Sequence, residues 1–360
     1  MSDDKEEKKE PTRRDFIIGA SLTVGAVGMA SGLSGCSGGT KLNRELPKEL
    51  TPEQLAKKRK ERSQVHIIPV KDYDQDIFEI LKTSLKDAKI PDFKNKSVVI
   101  KPNMVEYRPD QPVTTNAAVL SAAIKLMQHL GASKVTVAEG PGHMRDTEYL
   151  LEVTGFGKAC HDNGVQFVDL NLDDIEPVDN SQGFNELNPF YLPKTILHAD
   201  AVVSLPKLKT HHWVGMTCSM KNLFGTVPGR KYGWPKNMLH IKGIPHSIID
   251  LQHLVKPKLA IVDGVIAMEG DGPINGVAKP FHHIIVGDDV AAVDATCARL
   301  LKLDPHDLPY INMAGKVVGN IEEDQIDLVG PPIKDIAMKF DLPITMKDKS
   351  LLKQAAEQGS

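Results

Sequence analysis

A chain of 360 residues with 41% hydrophobic and 25% charged residues can bury a sizeable core, and its composition excludes a disordered or fibrous protein. Its 44 Lys and Arg against 47 Asp and Glu leave a formal net charge of −3, so no overall basic field favours nucleic acid as a partner. Cys36, Cys160, Cys218 and Cys297 form no CxxC pair; read as isolated, they disfavour a disulfide scaffold, a cysteine-bound zinc and an iron–sulfur cluster.

Residues 1–12 are charged and polar, and Arg13-Arg14 then precede an uncharged stretch from Phe16 to Leu33. That stretch is long enough for a membrane span, but Gly19, Gly25, Gly28 and Gly32 with several Ser and Thr make it a weak one. A paired arginine before a mildly apolar, Gly-rich segment resembles a twin-arginine export signal. The closing Leu33-Ser34-Gly35-Cys36 resembles a lipoprotein box, in which Cys36 is lipidated and begins the mature chain. The expectation is an exported protein, periplasmic or at the cell surface, held to the membrane by lipid at Cys36. The twin-arginine export machinery is its first partner, and an uncleaved membrane anchor is the alternative.

Residues 36–64 read as a tether and a basic helix. Ser37-Gly38-Gly39 is flexible, and Thr51-Pro52-Glu53-Gln54 carries the Thr, Pro and Gln of a capping box. Lys57, Lys58, Arg59, Lys60 and Arg62 follow, read as a solvated face with anionic lipid as the functional alternative.

Residues 65–345 alternate strand and helix signals, which predicts a single α/β domain followed by a tail at 346–360. Strands are expected at Ser97–Ile100, Lys134–Ala138, Val165–Asp169, Ala201–Ser204, Leu259–Val262 and His283–Val286. Helices are expected at Asn116–Leu130, Met216–Phe224, Ile244–Leu254 and Asp289–Leu301. Near-continuous apolar strands are those buried on both faces, so the fold class is a mostly parallel, mixed sheet with helices on both faces. Residues 205–245 are an inserted-lobe candidate.

Ligands of open parallel sheets bind beyond the carboxyl ends of strands. The residues standing there are Lys101 and Asn103, Glu139, Lys207 and Lys209, and Asp263. In an extended segment Lys207, Lys209 and His211 share one face by the period of two. Two ammonium groups and an imidazole on one face suit a phosphate or carboxylate. A helix starting near Met216 would bring Thr217, Met220 and Lys221 to one side, next to Asn222. Lys101, Asn103, Lys207, Lys209, Lys221 and Asn222 are therefore the candidate substrate-binding residues. His211 is the first candidate general acid or base, with Glu269 and Asp271 of Glu269-Gly270-Asp271-Gly272-Pro273 as further catalytic candidates. Glu139, Asp263 and Asp294 are the candidate ligands of a divalent metal. Asp294 lies in a largely apolar helix and needs a partner, for which a lysine of the site is a candidate.

Ile100-Lys101-Pro102-Asn103, Ser204 to His211, Met220 to Gly225, Val262-Asp263-Gly264, Glu269 to Pro273 and Gly287-Asp288 to Asp294 occur in that order. Across about residues 97–300 the chain resembles the family called domain of unknown function 362. The resemblance implies no settled reaction. Some members carry ferredoxin-type cysteine segments, which this chain lacks. The leading expectation is a lipid-anchored enzyme acting on an anionic small molecule, with a divalent metal as candidate cofactor. A non-catalytic solute- or cofactor-binding lipoprotein is the alternative, and a redox protein related to iron–sulfur members the second.

Overall fold

In the strand Ser97–Pro102, Val98 and Ile100 enter one apolar cluster while Val99 enters another. The same split separates Val202 from Val203, and Ala260 and Val262 from Leu259 and Ile261. Successive side chains of a strand point to opposite faces, so these runs lie in a sheet covered on both sides. Each fully buried Val, Leu or Ile contributes roughly 1.5–3 kcal/mol. The computed structural model describes residues 49–142 and 146–347, and everything below concerns those residues.

The strands are β1 (Ser63–Pro69), β2 (Ser97–Pro102), β3 (Lys134–Glu139), β4 (Gln166–Asp169), β5 (Ile175–Val178) and β6 (Phe190–Pro193). They continue with β7 (Ala201–Leu205), β8 (Lys207–His211), β9 (Gly215–Thr217), β10 (Leu259–Glu269), β11 (Val277–Gly287) and β12 (Ile326–Val329). The main sheet runs β12-β1-β11-β10-β7-β2-β3-β4, with β8 joined to β10 and β9 joined to β8, while β5 and β6 pair separately. The run β10-β7-β2-β3-β4 is parallel throughout, as is β12 on β1. β11 is antiparallel to both its neighbours. The expected mixed, mostly parallel sheet is what forms.

Helices Ile77–Ser84, Ala117–His129 and Phe156–Asp162 fill one face, through Leu81, Ile124 and Phe156 among others. Helices Ile244–Val255, Val290–Leu300 and Pro309–Val317 fill the other, through Ile248, Val293 and Ile311. Asn116 and Asp289 cap their helices by accepting backbone N–H groups of the first turn. Pro52–Ala56 forms with the full Thr51–Gln54 capping box. No helix among the described residues is long and apolar enough to cross a membrane.

Two expectations are corrected. Met216–Phe224 is not one helix: Met216 and Thr217 pair with β8 as β9, and the helix begins only at Ser219. The Asp294 carboxylate sets that start by accepting the Ser219 and Met220 N–H groups at 2.9 and 3.2 Å. Secondly, residues 205–245 are not a separate lobe. Leu223, Phe224, Val227, Tyr232 and Leu239 share one apolar cluster with Ile248 and Val293, so the excursion is packed onto the core. Cys160, Cys218 and Cys297 are all free and buried.

Candidate functional site

β2 and β3 are neighbours in register, so their carboxyl ends place Lys101 beside Glu139. Lys101 Nζ lies 2.5 Å from Glu139 Oε2, with side chains 1% and 3% exposed. The ammonium also donates to Asn222 O at 2.6 Å and Asn222 Oδ1 at 2.9 Å. Glu139 accepts from Gly140 N at 2.9 Å and Met104 N at 3.3 Å. Burial pushes the lysine down and the carboxyl up, and each charge opposes the other's shift. At this separation, with every remaining valence hydrogen-bonded, the pair is ammonium and carboxylate. Asn222 Nδ2 closes the arrangement by donating to Lys101 O and Ser204 Oγ.

Above this floor a cavity of about 230 Å³ opens. Its lining includes Lys101, Asn103, Glu139, Lys209, His211, Lys221 and Asn222, all of them expected from the sequence. Lys209 Nζ donates to Val113 O at 2.8 Å and Pro273 O at 3.3 Å. Burial and the Lys221, Lys207 and Lys101 charges push its pKa far down. His211 Nδ1 accepts from Trp213 N at 3.1 Å, which puts the proton of the neutral ring on Nε2. Burial, then Lys221, His212 and Lys209, keep His211 neutral. In this state the ring can act as a hydrogen-bond donor through Nε2.

His211 stacks on His212 at 4.9 Å, His212 meets Trp213 edge-on at 4.4 Å, and Trp213 meets His240 at 5.1 Å. These rings and Phe224 give the cavity an aromatic wall. Lys221 stands over the Phe224 ring, 3.8 Å from its centroid. Desolvation and the Lys101 charge, opposed by Glu139, bring Lys221 down to about 7. Lys236, also lining the cavity, donates to Asn171 Oδ1 at 2.6 Å. Burial, against the attraction of Glu139, brings it to about 7 as well. His240, its Nδ1 on Lys236 O at 3.0 Å, falls to about 4, chiefly by burial. Asn103 Oδ1 and Thr217 Oγ1 are buried in this lining without a hydrogen-bond partner. Unsatisfied polar atoms cost free energy, and both are available to a ligand.

Several sequence candidates lie elsewhere. β8 meets β10 in the register Asp263 opposite Lys207, so Lys207 Nζ bonds Asp263 Oδ2 at 2.6 Å and Tyr73 OH at 2.8 Å. Tyr73 OH donates to Asp263 Oδ1 at 2.9 Å. This is a closed buried network, and neither Lys207 nor Asp263 lines the cavity. Glu269 pairs with Lys279 across the β10–β11 hairpin at 2.9 Å and accepts from Asp341 N. Asp271 accepts from Ile344 N at 3.1 Å on an exposed turn. Asp294 takes Ser219 Oγ and the Ser219 and Met220 amides, not a lysine. Glu139, Asp263 and Asp294 thus belong to three separate networks and form no joint metal site. Among the described residues no group of three or more His, Cys, Asp or Glu is placed to hold a metal ion.

Sequence reasoning missed Lys236. It sits in the loop Gly233-Trp234-Pro235-Lys236 with φ +68°, a conformation uncommon for a residue with a Cβ. A Trp-Pro turn inside the basic stretch was the available signal.

Fold and site together define an α/β protein with a lysine-lined pocket where its parallel strands end. The chain belongs to the family described as "Domain of unknown function (DUF362)", whose profile matches residues 98–299. Residues 3–32 match a profile described as "Ubiquitinol-cytochrome C reductase Fe-S subunit TAT signal". The chain thus carries a twin-arginine signal, addressed to the twin-arginine export machinery. Arg13 and Arg14 fall within that match; they and Cys36 lie outside the described residues. A thylakoid-associated protein of Synechocystis sp. is 29% identical over 223 residues, covering 59% of this chain and 65% of that protein's length. Among solved structures, the lactate racemase apoprotein of Thermoanaerobacterium thermosaccharolyticum gives a TM-score of 0.42 at 13% identity, over 72% of this chain and 60% of that one. A Thermotoga maritima protein gives 0.33 at 10% identity, over 63% and 59%.

Proposed function

We propose that this is an exported, lipid-anchored enzyme that binds a small organic anion in the lysine-lined cavity and acts on it by proton transfer. The observation that carries the reading is an imbalance of charge. Lys101, Lys209, Lys221 and Lys236 line the space, whereas Glu139, the one carboxylate of that lining among the described residues, is already committed to Lys101. A carboxylate or phosphate entering the cavity completes the charge balance and restores protons to Lys209 and Lys236, the two lysines that hold it. Lys209 and Lys236 hold the anion, His211 donates from Nε2, and Asn103 and Thr217 receive the polar substituents. Lys221, at about 7, exchanges a proton near neutrality. The aromatic wall covers the carbon part of the ligand. A divalent metal has no place in this reading, because the lining offers cations where a metal needs free carboxylates.

Calorimetric titration with a panel of small carboxylates and phosphates tests it. Binding by the native protein, weakened at least tenfold in Lys209→Met, supports the reading. Equal affinity in both, or no binding by either, defeats it. Lipidation at Cys36 is tested separately by metabolic labelling with a fatty acid, which Cys36→Ser abolishes.

A further inference from the structure

The four pocket lysines are not equivalent. Lys101 is clamped by Glu139 and Asn222. Lys209 is held by two backbone carbonyls, and Lys236 by Asn171 Oδ1. Lys221 has only the face of Phe224 beneath it, with no hydrogen-bond acceptor or ion-pair partner among the described residues. It is partly exposed and lines the cavity. Its backbone is nonetheless rigid, since it belongs to the helix Ser219–Asn222 that Asp294 anchors and Asn222 ties to β2 and β7. The site thus presents one unengaged primary amine on a fixed support, among ammonium groups that draw an anion toward it.

We infer that Lys221 is a nucleophile that condenses with the carbonyl group of a small oxo acid to form an imine. The inference rests on the anion-binding reading of the cavity and specifies its substrate class: a carboxylate with a ketone or aldehyde close to it. The neutral Lys221 Nζ attacks the carbonyl carbon, and the π pair passes to oxygen. Transfer of the amine's surplus proton to that oxygen gives a carbinolamine. One further proton, supplied by the Lys236 ammonium of the same lining, lets the hydroxyl leave as water. The nitrogen lone pair then closes the C=N bond, leaving a protonated imine. The balance is amine, carbonyl and one proton in, iminium and water out, with no oxidant or reductant. The carbinolamine hydroxyl supplies the donor that Asn103 Oδ1 lacks.

Three features of the surroundings favour the chemistry. A lysine desolvated beside other cations is held as free amine near neutrality, which is how nucleophilic lysines are made; Lys221, at about 7, meets that condition. The neighbouring ammoniums bind the carboxylate and orient the carbonyl. Finally, the proton lost by Lys236 reappears as the charge of the iminium at Lys221, so the net charge of the pocket is unchanged.

The test is reductive trapping. Full-length protein is incubated at pH 7.5 with pyruvate, glyoxylate or 2-oxoglutarate and sodium cyanoborohydride, then digested and mapped by mass spectrometry. The expected result is near-stoichiometric, saturable alkylation at Lys221 with at least one of these acids, surface lysines being modified at least tenfold less. In Lys221→Met that adduct disappears while the circular dichroism spectrum is retained. Calorimetry with the same acids runs alongside. An oxo acid that binds with Lys221 left unmodified overturns the imine and leaves the anion site standing. If no oxo acid binds but another carboxylate or phosphate does, the substrate class is wrong. If no anion binds at all, the inference and the reading beneath it fall together.

Discussion

Gly225 lies directly over the Lys101–Glu139 ion pair, its carbonyl accepting the Gly140 N–H at 3.0 Å. A Cβ built at this glycine collides with Glu139 Oε1 and with Nζ and Cε of Lys101. Gly225→Ala therefore forces apart a pair that has no room to relax. The expected cost is about 1–3 kcal/mol of stability, read by urea denaturation, together with weakened anion binding. A variant as stable as the native protein would show that the floor of the pocket is softer than its geometry implies.

The ion pair itself should behave asymmetrically. Lys101→Met strands a buried carboxylate and is expected to cost about 3–5 kcal/mol. The double substitution Lys101→Met with Glu139→Leu removes both charges and should recover much of that loss. A double-mutant cycle on the denaturation midpoints checks it, and additive effects would mean that the two groups do not depend on each other.

Lys207 separates a structural lysine from a binding one. Lys207→Met leaves Asp263 buried with Tyr73 and backbone donors only, so the protein should lose stability by several kcal/mol. Its affinity for any anion that the native protein binds should change less than threefold, because Lys207 does not line the cavity. Comparison with Lys209→Met in the same titration is the control.

The pH dependence of binding follows from Lys221 and Lys236, both lowered to about 7. Protonated below that value, they attract an anion; above it they are neutral, so affinity should fall between pH 6 and 9. Binding at pH 8 should be accompanied by proton uptake, seen as a dependence of the calorimetric enthalpy on the buffer. Stability of the free protein runs the other way. A depressed lysine favours the fold above its unfolded pKa of 10.5, and that contribution is lost as pH falls through 7. Saturating anion should remove this loss, and a melting-temperature profile with and without ligand shows whether it does.

Asp294 carries the opposite sign. Burial raises it to about 6, so its favourable contribution is complete below the unfolded value of 3.8 and is lost as pH rises through 6. Asp294→Asn should flatten the stability profile between pH 4 and 6. It should also weaken binding by loosening the helix that carries Lys221 and Asn222. An unchanged profile would assign the titration elsewhere.

Much of this architecture can be read from the residues alone. Ser97-Val98-Val99-Ile100 and Lys134-Val135-Thr136-Val137 are β-branched runs that end in Lys101 and Glu139, and a parallel pair brings such ends together. Lys221 and Asn222 are reached through a helix expected from Met216 that in the structure begins only at Ser219, and Lys209 and His211 through the period of two in an extended segment. Lys207 defeats it, because period two groups it with Lys209. Only the register of β8 on β10, shifted between Asp263 and Met268, sends one lysine to a carboxylate and the other to the cavity. Glu269 and Asp271 mislead for a related reason: β10 runs on to Glu269 as half of a long hairpin, carrying these carboxylates past the pocket. Lys236 is illegible because its position depends on how a loop folds back, not on any periodic pattern.

The excursion from β9 to the helix Ile244–Val255 brings Thr217, Lys221, Phe224, Lys236 and His240 to a floor laid down by β2 and β3, strands far earlier in the chain. An unfolded or half-folded chain therefore has no pocket to offer. Twin-arginine export moves proteins that have already folded, so the cavity is complete on the cytoplasmic side. On the anion-binding reading proposed above, an anion abundant there would meet the finished cavity before the protein departs, and the chain would cross the membrane already loaded with its first ligand.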